Sequence, residues 1–193
     1  TRKVKVVGIN ARPLRTPLGG PGYQDMGALS LFNRPQALVR AANGTLFVYD
    51  SGNRAVRSIQ PNGLVSTLAG ARTQYAELRD GRGQEARFAG IQAMALDSDG
   101  SLYLAGEFDG LRHMAPDGTV RTLVAAAGNT AGDESKPVSL VSPRALALRS
   151  DGSLYVSHGN GIALYRKGEI SLIAGQVRTK GYLDGPASEA RFG

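Results

Sequence analysis

Three times in this chain the same four-strand pattern returns, punctuated by glycine turns at matching offsets, and this recurrence limits the possible folds more than any other feature. Asn43-Gly44, Asp99-Gly100 and Asp151-Gly152 stand at a first turn; Asn62-Gly63, Asp117-Gly118 and Lys167-Gly168 stand at a second. Successive copies lie 56 and 52 residues apart at the first turn, and 55 and 50 at the second. Behind the first turn come Thr45-Leu46-Phe47-Val48, Ser101-Leu102-Tyr103-Leu104 and Ser153-Leu154-Tyr155-Val156. An Asn-Gly or Asp-Gly pair between apolar runs signals a hairpin, since it supplies the positive torsions of a two-residue turn. Each unit therefore reads as four antiparallel strands, a to d. A four-stranded unit at this period marks a β-propeller blade rather than a helical solenoid.

The repeat sets the boundaries. Blades run over about 32–70, 88–126 and 140–175. The apolar stretch at 3–12 resembles Val65 to Gly70 and Ile170 to Gly175, and reads as a latch strand, the strand d of another blade. Residues 176–193 read as the start of the next repeat, because Asp184 to Phe192 match Asp80 to Phe88. The fold class is thus all-β: three complete blades plus one extra strand, a partial ring belonging to a six-bladed propeller. Its missing blades come from a longer native chain or a second chain. Strand a, with Ala37, Ala93 and Ala145 at equivalent positions, is expected innermost and packed on both faces. Strands c and d alternate and are expected nearer a partly wetted rim.

The pattern Asp-Gly-x-x-x-Glu-Ala-Arg-Phe, followed by Asp99-Gly100-Ser101-Leu102-Tyr103-Leu104 and then Pro116-Asp117-Gly118-Thr119-Val120-Arg121-Thr122-Leu123, resembles the NHL repeat of β-propellers. Blade one carries the fullest b–c segment, Asp50-Ser51-Gly52-Asn53-Arg54-Ala55-Val56-Arg57-Ser58-Ile59. Blade two has Gly106-Glu107-Phe108-Asp109 there and blade three has Ser157-His158-Gly159-Asn160; blade three has also lost Ala-Arg-Phe before Leu140. The resemblance implies the fold. Its functions are diverse: RNA-binding and protein-binding propellers, peptidyl-hydroxyglycine lyases, and bacterial secreted or periplasmic proteins.

Composition narrows the chemistry. There is no cysteine, which removes thiolate metal sites and cysteine nucleophiles, and the only histidines are His113 and His158, too few for a cysteine-free zinc site. Asp97 to Ser101 opens like a calcium loop but has Phe108 at the twelfth position, so no metal and no cofactor is expected. The glycine run Gly19-Gly20-Pro21-Gly22 lacks the Gly-Lys-Ser/Thr of a phosphate loop. The 23 Lys and Arg against 16 Asp and Glu give a formal charge of +7, compatible with an anionic partner such as nucleic acid. The arginines, however, are dispersed and recur at repeat positions, as blade-to-blade hydrogen bonding would require.

Tight hairpins leave no room for chemistry, so the b–c and d–a connections on the opposite face are expected to form any binding surface. That face presents Asp50, Asn53, Arg54, Glu107, Phe108, Asp109, His158 and Asn160. No catalytic set assembles among them. The reading is a non-enzymatic scaffold that binds a protein, glycan or other ligand. The alternatives are an enzyme on the same scaffold, a lyase or lactonase-like hydrolase, and an RNA-binding propeller using its basic face, with Phe108 and Tyr75 as its available stacking aromatics.

Overall fold

The computed structural model describes residues 31–71, 78–127 and 139–193. The latch strand expected at 3–12, the glycine run Gly19 to Gly22 and Tyr75 lie outside these residues. Sheet one consists of β1 (Pro35–Arg40), β2 (Leu46–Asp50), β3 (Ala55–Ile59) and β4 (Val65–Gly70), hydrogen-bonded in that order. Next come β5 (Gly81–Arg82), β6 (Ala93–Leu96), β7 (Leu102–Gly106), β8 (Gly110–Met114) and β9 (Thr119–Val124), which form sheet two in the order β5-β9-β8-β7-β6. Sheet three consists of β10 (Pro143–Leu148), β11 (Leu154–His158), β12 (Gly161–Arg166) and β13 (Glu169–Gly175). The innermost strands β1, β6 and β10 lie beside one another, so the sheets fan out as the blades of a propeller arc. Sheet two gains a fifth strand because Gly81 and Arg82, on the connection from blade one, pair with Val120 and Thr119 at its outer edge.

The turns differ from the two-residue form in five of six hairpins. Asp97 N–H donates to Ser101 O, and Gly100 N–H donates back to Asp97 O. Ser98, Asp99 and Gly100 therefore form a three-residue loop in which only glycine takes a positive φ, +87°. This is the type I turn closed by a left-handed bulge residue. The aspartate's part is a side-chain cap: Asp99 Oδ1 accepts from Ser101 N–H at 2.8 Å, as Asn43, Asn62, Asp117 and Asp151 each accept from the N–H two residues on. Only Lys167-Gly168 is a two-residue turn with both φ positive, +50° and +90°, directly joining the paired Arg166 and Glu169.

Apolar burial is concentrated in two seams between blades. Tyr49, Val56 and Ala69 of sheet one meet Phe88, Ile91, Leu102, Leu104 and Met114 of blade two. Ala105, Leu111 and Val124 of blade two meet Leu140, Leu154, Val156 and Tyr165 of blade three. Sheet two is covered on both faces, which is why its strands β7 and β8 are buried almost throughout. Two expectations fail on this geometry. Strand a is not packed on both faces in the outer blades: Leu38 on β1 is 65% exposed and Ala145 on β10 is exposed, because no further blade covers them among the described residues. Strand c is not wetted in blades one and two, where β3 and β8 each bury four of their five residues, whereas β12 of blade three alternates as expected.

The seams depend on matched sizes. Gly70 ends β4 at φ +89°, and a Cβ there would stand 2.3 Å from Arg54 O and 2.9 Å from the ring of Phe88. The equivalent of Phe88 in blade three is Leu140, and the residue holding the place of Gly70 is then Ala125, whose carbonyl accepts from Leu140 N–H at 2.9 Å. The smaller plug thus goes with the larger floor. Gly70→Ala is expected to lower unfolding free energy by about 2 kcal/mol or more, from the left-handed backbone and the clash together. Gly90→Ala, whose Cβ would meet nothing within 4 Å, should stay within about 0.5 kcal/mol of the parent in the same urea titration.

Candidate functional site

On the face of the b–c turns, each blade must grip the segment that runs into its own strand a. In blade two the grip is Arg112, on β8 and fully buried. One terminal nitrogen donates to Arg87 O at 2.6 Å and lies 3.3 Å from Asp109 Oδ1; the other donates to Arg79 O at 2.8 Å and Asp80 Oδ1 at 2.7 Å. The guanidinium carbon sits 5.0 Å from the centre of the Phe88 ring. Its planar fork reaches four acceptors on three separate segments, a geometry a lysine ammonium could not reproduce. Asp109 completes the grip by accepting Ala89 N–H at 3.0 Å and Gly90 N–H at 2.6 Å.

Two carboxylates hold this cation, and their environments differ. Burial pushes the Asp109 carboxyl above its ordinary range, against the opposing pull of Gly90 N–H, Arg112 and Ala89 N–H. At the half-exposed Asp80, desolvation is outweighed by the N–H of Thr122 and by Arg112, and the carboxyl falls below its ordinary range. Asp109 rather than residue 106 supplies the buried carboxylate for a steric reason. A Cβ on Gly106 would stand 1.9 Å from Gly90 O, so the end of strand b must be glycine and the acid comes from across the turn.

Blade one places its acid at the end of strand b instead. Asp50 accepts Asn33 N–H at 2.7 Å, Asn53 Nδ2 at 2.8 Å and Arg57 at 3.1 Å, while Arg57 also donates to Leu31 O at 2.6 Å and covers the Phe32 ring at 4.3 Å. Blade three has exchanged both partners, with His158 in place of Asp50 and Ala163 in place of the arginine. His158 is buried, its Nδ1 faces Val141 N–H at 3.5 Å, and burial lowers its pKa, keeping it neutral at pH 7.

Of the eight residues expected on the binding face, Asp50, Asn53, Asp109 and His158 are buried within these grips. Asn160 is half-buried and uses its backbone to hold Val177 and Gln176. Arg54 is half-buried in a left-handed conformation, φ +52°. Glu107 is exposed and Phe108 is 57% exposed at the tip of the blade-two turn. Arg57 and Arg112 were legible only as arginines at equivalent repeat positions; the stronger signal was their pairing with Phe32 and Phe88, where blade three pairs Ala163 with Leu140.

The opposite face, that of the tight turns, has relief of its own. A cleft of about 460 Å³ opens between the hairpins of sheets one and two, lined by residues including Thr45, Phe47, Ser58, Leu68, Met114 and Pro116. Its walls are mixed, and they hold no cluster of ionisable groups. Among the described residues no three His, Asp or Glu side chains converge as metal ligands would.

No family model and no curated protein matches the sequence. Solved structures do. A structural genomics protein of unknown function from Bacteroides thetaiotaomicron aligns with a TM-score of 0.62 and 19% identity over 83% of this chain and 40% of its own. Virginiamycin B lyase from Staphylococcus aureus aligns at 0.53 and 13% identity, over 82% of this chain and 44% of the lyase. A structure of the nidogen/laminin complex aligns at 0.53 and 18% identity, over 74% of this chain and 48% of that one. The chain spans less than half the length of each, and at these identities the likeness shows the fold, a β-propeller arc.

Truncating a buried, paired arginine leaves Asp109 desolvated without its cation, so Arg112→Ala is expected to cost about 3–5 kcal/mol. Arg121→Ala, on the exposed side of the neighbouring strand, should remain within about 0.5 kcal/mol. Equal urea midpoints for the two variants would remove Arg112 from any structural role.

Proposed function

We propose that the chain is an NHL-type arc of a six-bladed ring that serves as a binding scaffold for a protein or glycan, with its contact surface on the face of the b–c turns. The observation that carries this reading is the blade-two turn Glu107-Phe108-Asp109. Asp109 is anchored by two backbone N–H groups and Arg112, so the turn is held rigidly while it projects an aromatic ring and a carboxylate outward. A rigid exposed aromatic flanked by charge is the composition of a binding anchor, because it brings contact area at little entropic cost. Arg54, on the adjacent blade's turn, extends the same face.

An enzyme would need ionisable groups turned toward a substrate. Here Asp50 and Asp109 spend their oxygens on backbone and arginine, and His158 is buried against Val141. Nucleic-acid binding would have to rest on other arginines, since Arg57 and Arg112 are withdrawn into the interior beside Asp50 and Asp109. Photo-reactive residues at Arg54, Glu107, Phe108 and Asn160, compared with the same probes at Asn62, Asp99 and Asp117, distinguish the faces. Partner adducts are expected from the first set. Adducts confined to the second would move the function to the hairpin face and its cleft.

A further inference from the structure

The segment Leu183–Phe192 repeats the receptor that Arg112 fills in blade two, and among the described residues nothing fills it. In the filled receptor, Arg79 and Arg87 pair across the loop, Arg79 N–H to Arg87 O and Arg87 N–H to Arg79 O, and each carbonyl spends its second lone pair on Arg112. Leu183 and Arg191 pair in the same two-way manner, at 3.3 and 3.0 Å. Arg87 bonds the carbonyls of Gln84 and Ala86, and Arg191 bonds those of Glu189 and Ala190. Phe88 sits on Gly70, and Phe192 sits on Gly175, where a Cβ would stand 2.7 Å from its ring. Asp184 holds the place of Asp80 and is exposed. The burial of the ring differs: Phe88 is 1% exposed and Phe192 is 43% exposed.

We infer that Leu183 O, Arg191 O, the Asp184 carboxylate and the Phe192 ring form a guanidinium receptor, whose occupant is an arginine on the third strand of a further propeller blade. The three blades present show which residues travel together. Phe32 goes with Arg57 and Phe88 with Arg112, whereas Leu140 goes with Ala163. The fourth plug is phenylalanine and is preceded by an arginine and an aspartate spaced as Arg87 and Asp80 are, so it belongs to the arginine-using class. A second folded copy of residues 31–193 cannot fill the receptor, because Arg57 and Arg112 are already committed to their own blades and Ala163 has nothing to offer. The occupant is therefore a blade of different sequence, specified at one position. This inference does not depend on which face binds a partner.

The direct test is titration of the 193-residue chain with N-acetylarginine amide, and with N-acetyllysine amide for comparison, followed by amide NMR. Saturable shifts at Leu183, Asp184, Arg191 and Phe192 are expected, at least about five-fold tighter for the arginine probe, and abolished by Asp184→Asn. Equal shifts from both probes, persistence in the variant, or no shift at all would overturn the assignment. A second measurement repeats residues 89–127 directly after Phe192, restoring the blade-two register. Hydrogen exchange at Leu183 and Arg191 should then slow by about ten-fold or more, and the slowing should be lost when the added counterpart of Arg112 is methionine. A methionine version that protects these amides equally would show that apolar cover alone, and not a guanidinium, completes the site.

Discussion

A buried guanidinium that bonds the carbonyls of the incoming chain is the interaction on which the rest of this arc depends. A propeller blade is a small sheet whose strand a must be introduced at a fixed height beside the previous blade, and the segment that introduces it is irregular backbone whose Ala89 and Gly90 N–H groups have no main-chain partner among the described residues and whose Arg79 and Arg87 carbonyls each have a lone pair to spare. Burying such groups without partners costs free energy comparable to a lost hydrogen bond. Arg112 and Asp109 satisfy both kinds at once, the cation taking Arg87 O and Arg79 O and the anion taking Ala89 N–H and Gly90 N–H. The ion pair is thus a means of hydrogen-bonding backbone in the interior, and its two charges neutralise each other there.

Packing between blades follows from that fixed height. Phe88 is held below Arg112 and edge-on to Tyr49, with ring centroids 6.0 Å apart, so one residue joins blade one to blade two. The Tyr49 hydroxyl is buried so deeply there, and so near Asp109, that its pKa is driven far above the ordinary tyrosine range. Where the arginine is missing, in blade three, the plug shrinks to Leu140 and the floor fills to Ala125, while a parallel bridge between Ala126 and Leu140 ties the two blades by backbone instead. Two solutions to the same junction therefore coexist in one chain. Beyond blade three, Leu172, Ile173 and Phe192 are exposed.

Much of this was legible in the sequence because turns and strand periodicity are local. Each glycine of the six hairpins lies where the repeat puts it, and the sheet order follows from consecutive antiparallel pairing. The turn type was not legible: Asp-Gly is compatible with both a two-residue turn and a three-residue bulged turn, and the count of residues between paired positions decides. Burial was misjudged where the sequence pattern alternates, since Arg57 reads as an outward residue on β3 but is drawn inward by Asp50 and Leu31 O. The exposure of Asp50 and Asp109 was misjudged for the same reason. Asp50 and Asp109 look like exposed loop acids, and only the three-dimensional approach of Asn33 and of Ala89-Gly90 shows what they hold. Glu107 and Phe108 stand at the tip of the blade-two turn and stay at the surface.

Native-state hydrogen exchange at Ala89 and Gly90 tests the central role of these grips most directly, because among the described residues those two amides donate only to the Asp109 carboxylate. If the buried ion pair fixes the incoming chain, both amides exchange only through global unfolding, with protection equal to that of Leu104 in the middle of sheet two. Exchange at the rate of the turn amides Gly100 and Gly118, through local opening while Leu104 stays protected, would contradict the account and leave inter-blade packing as the true anchor.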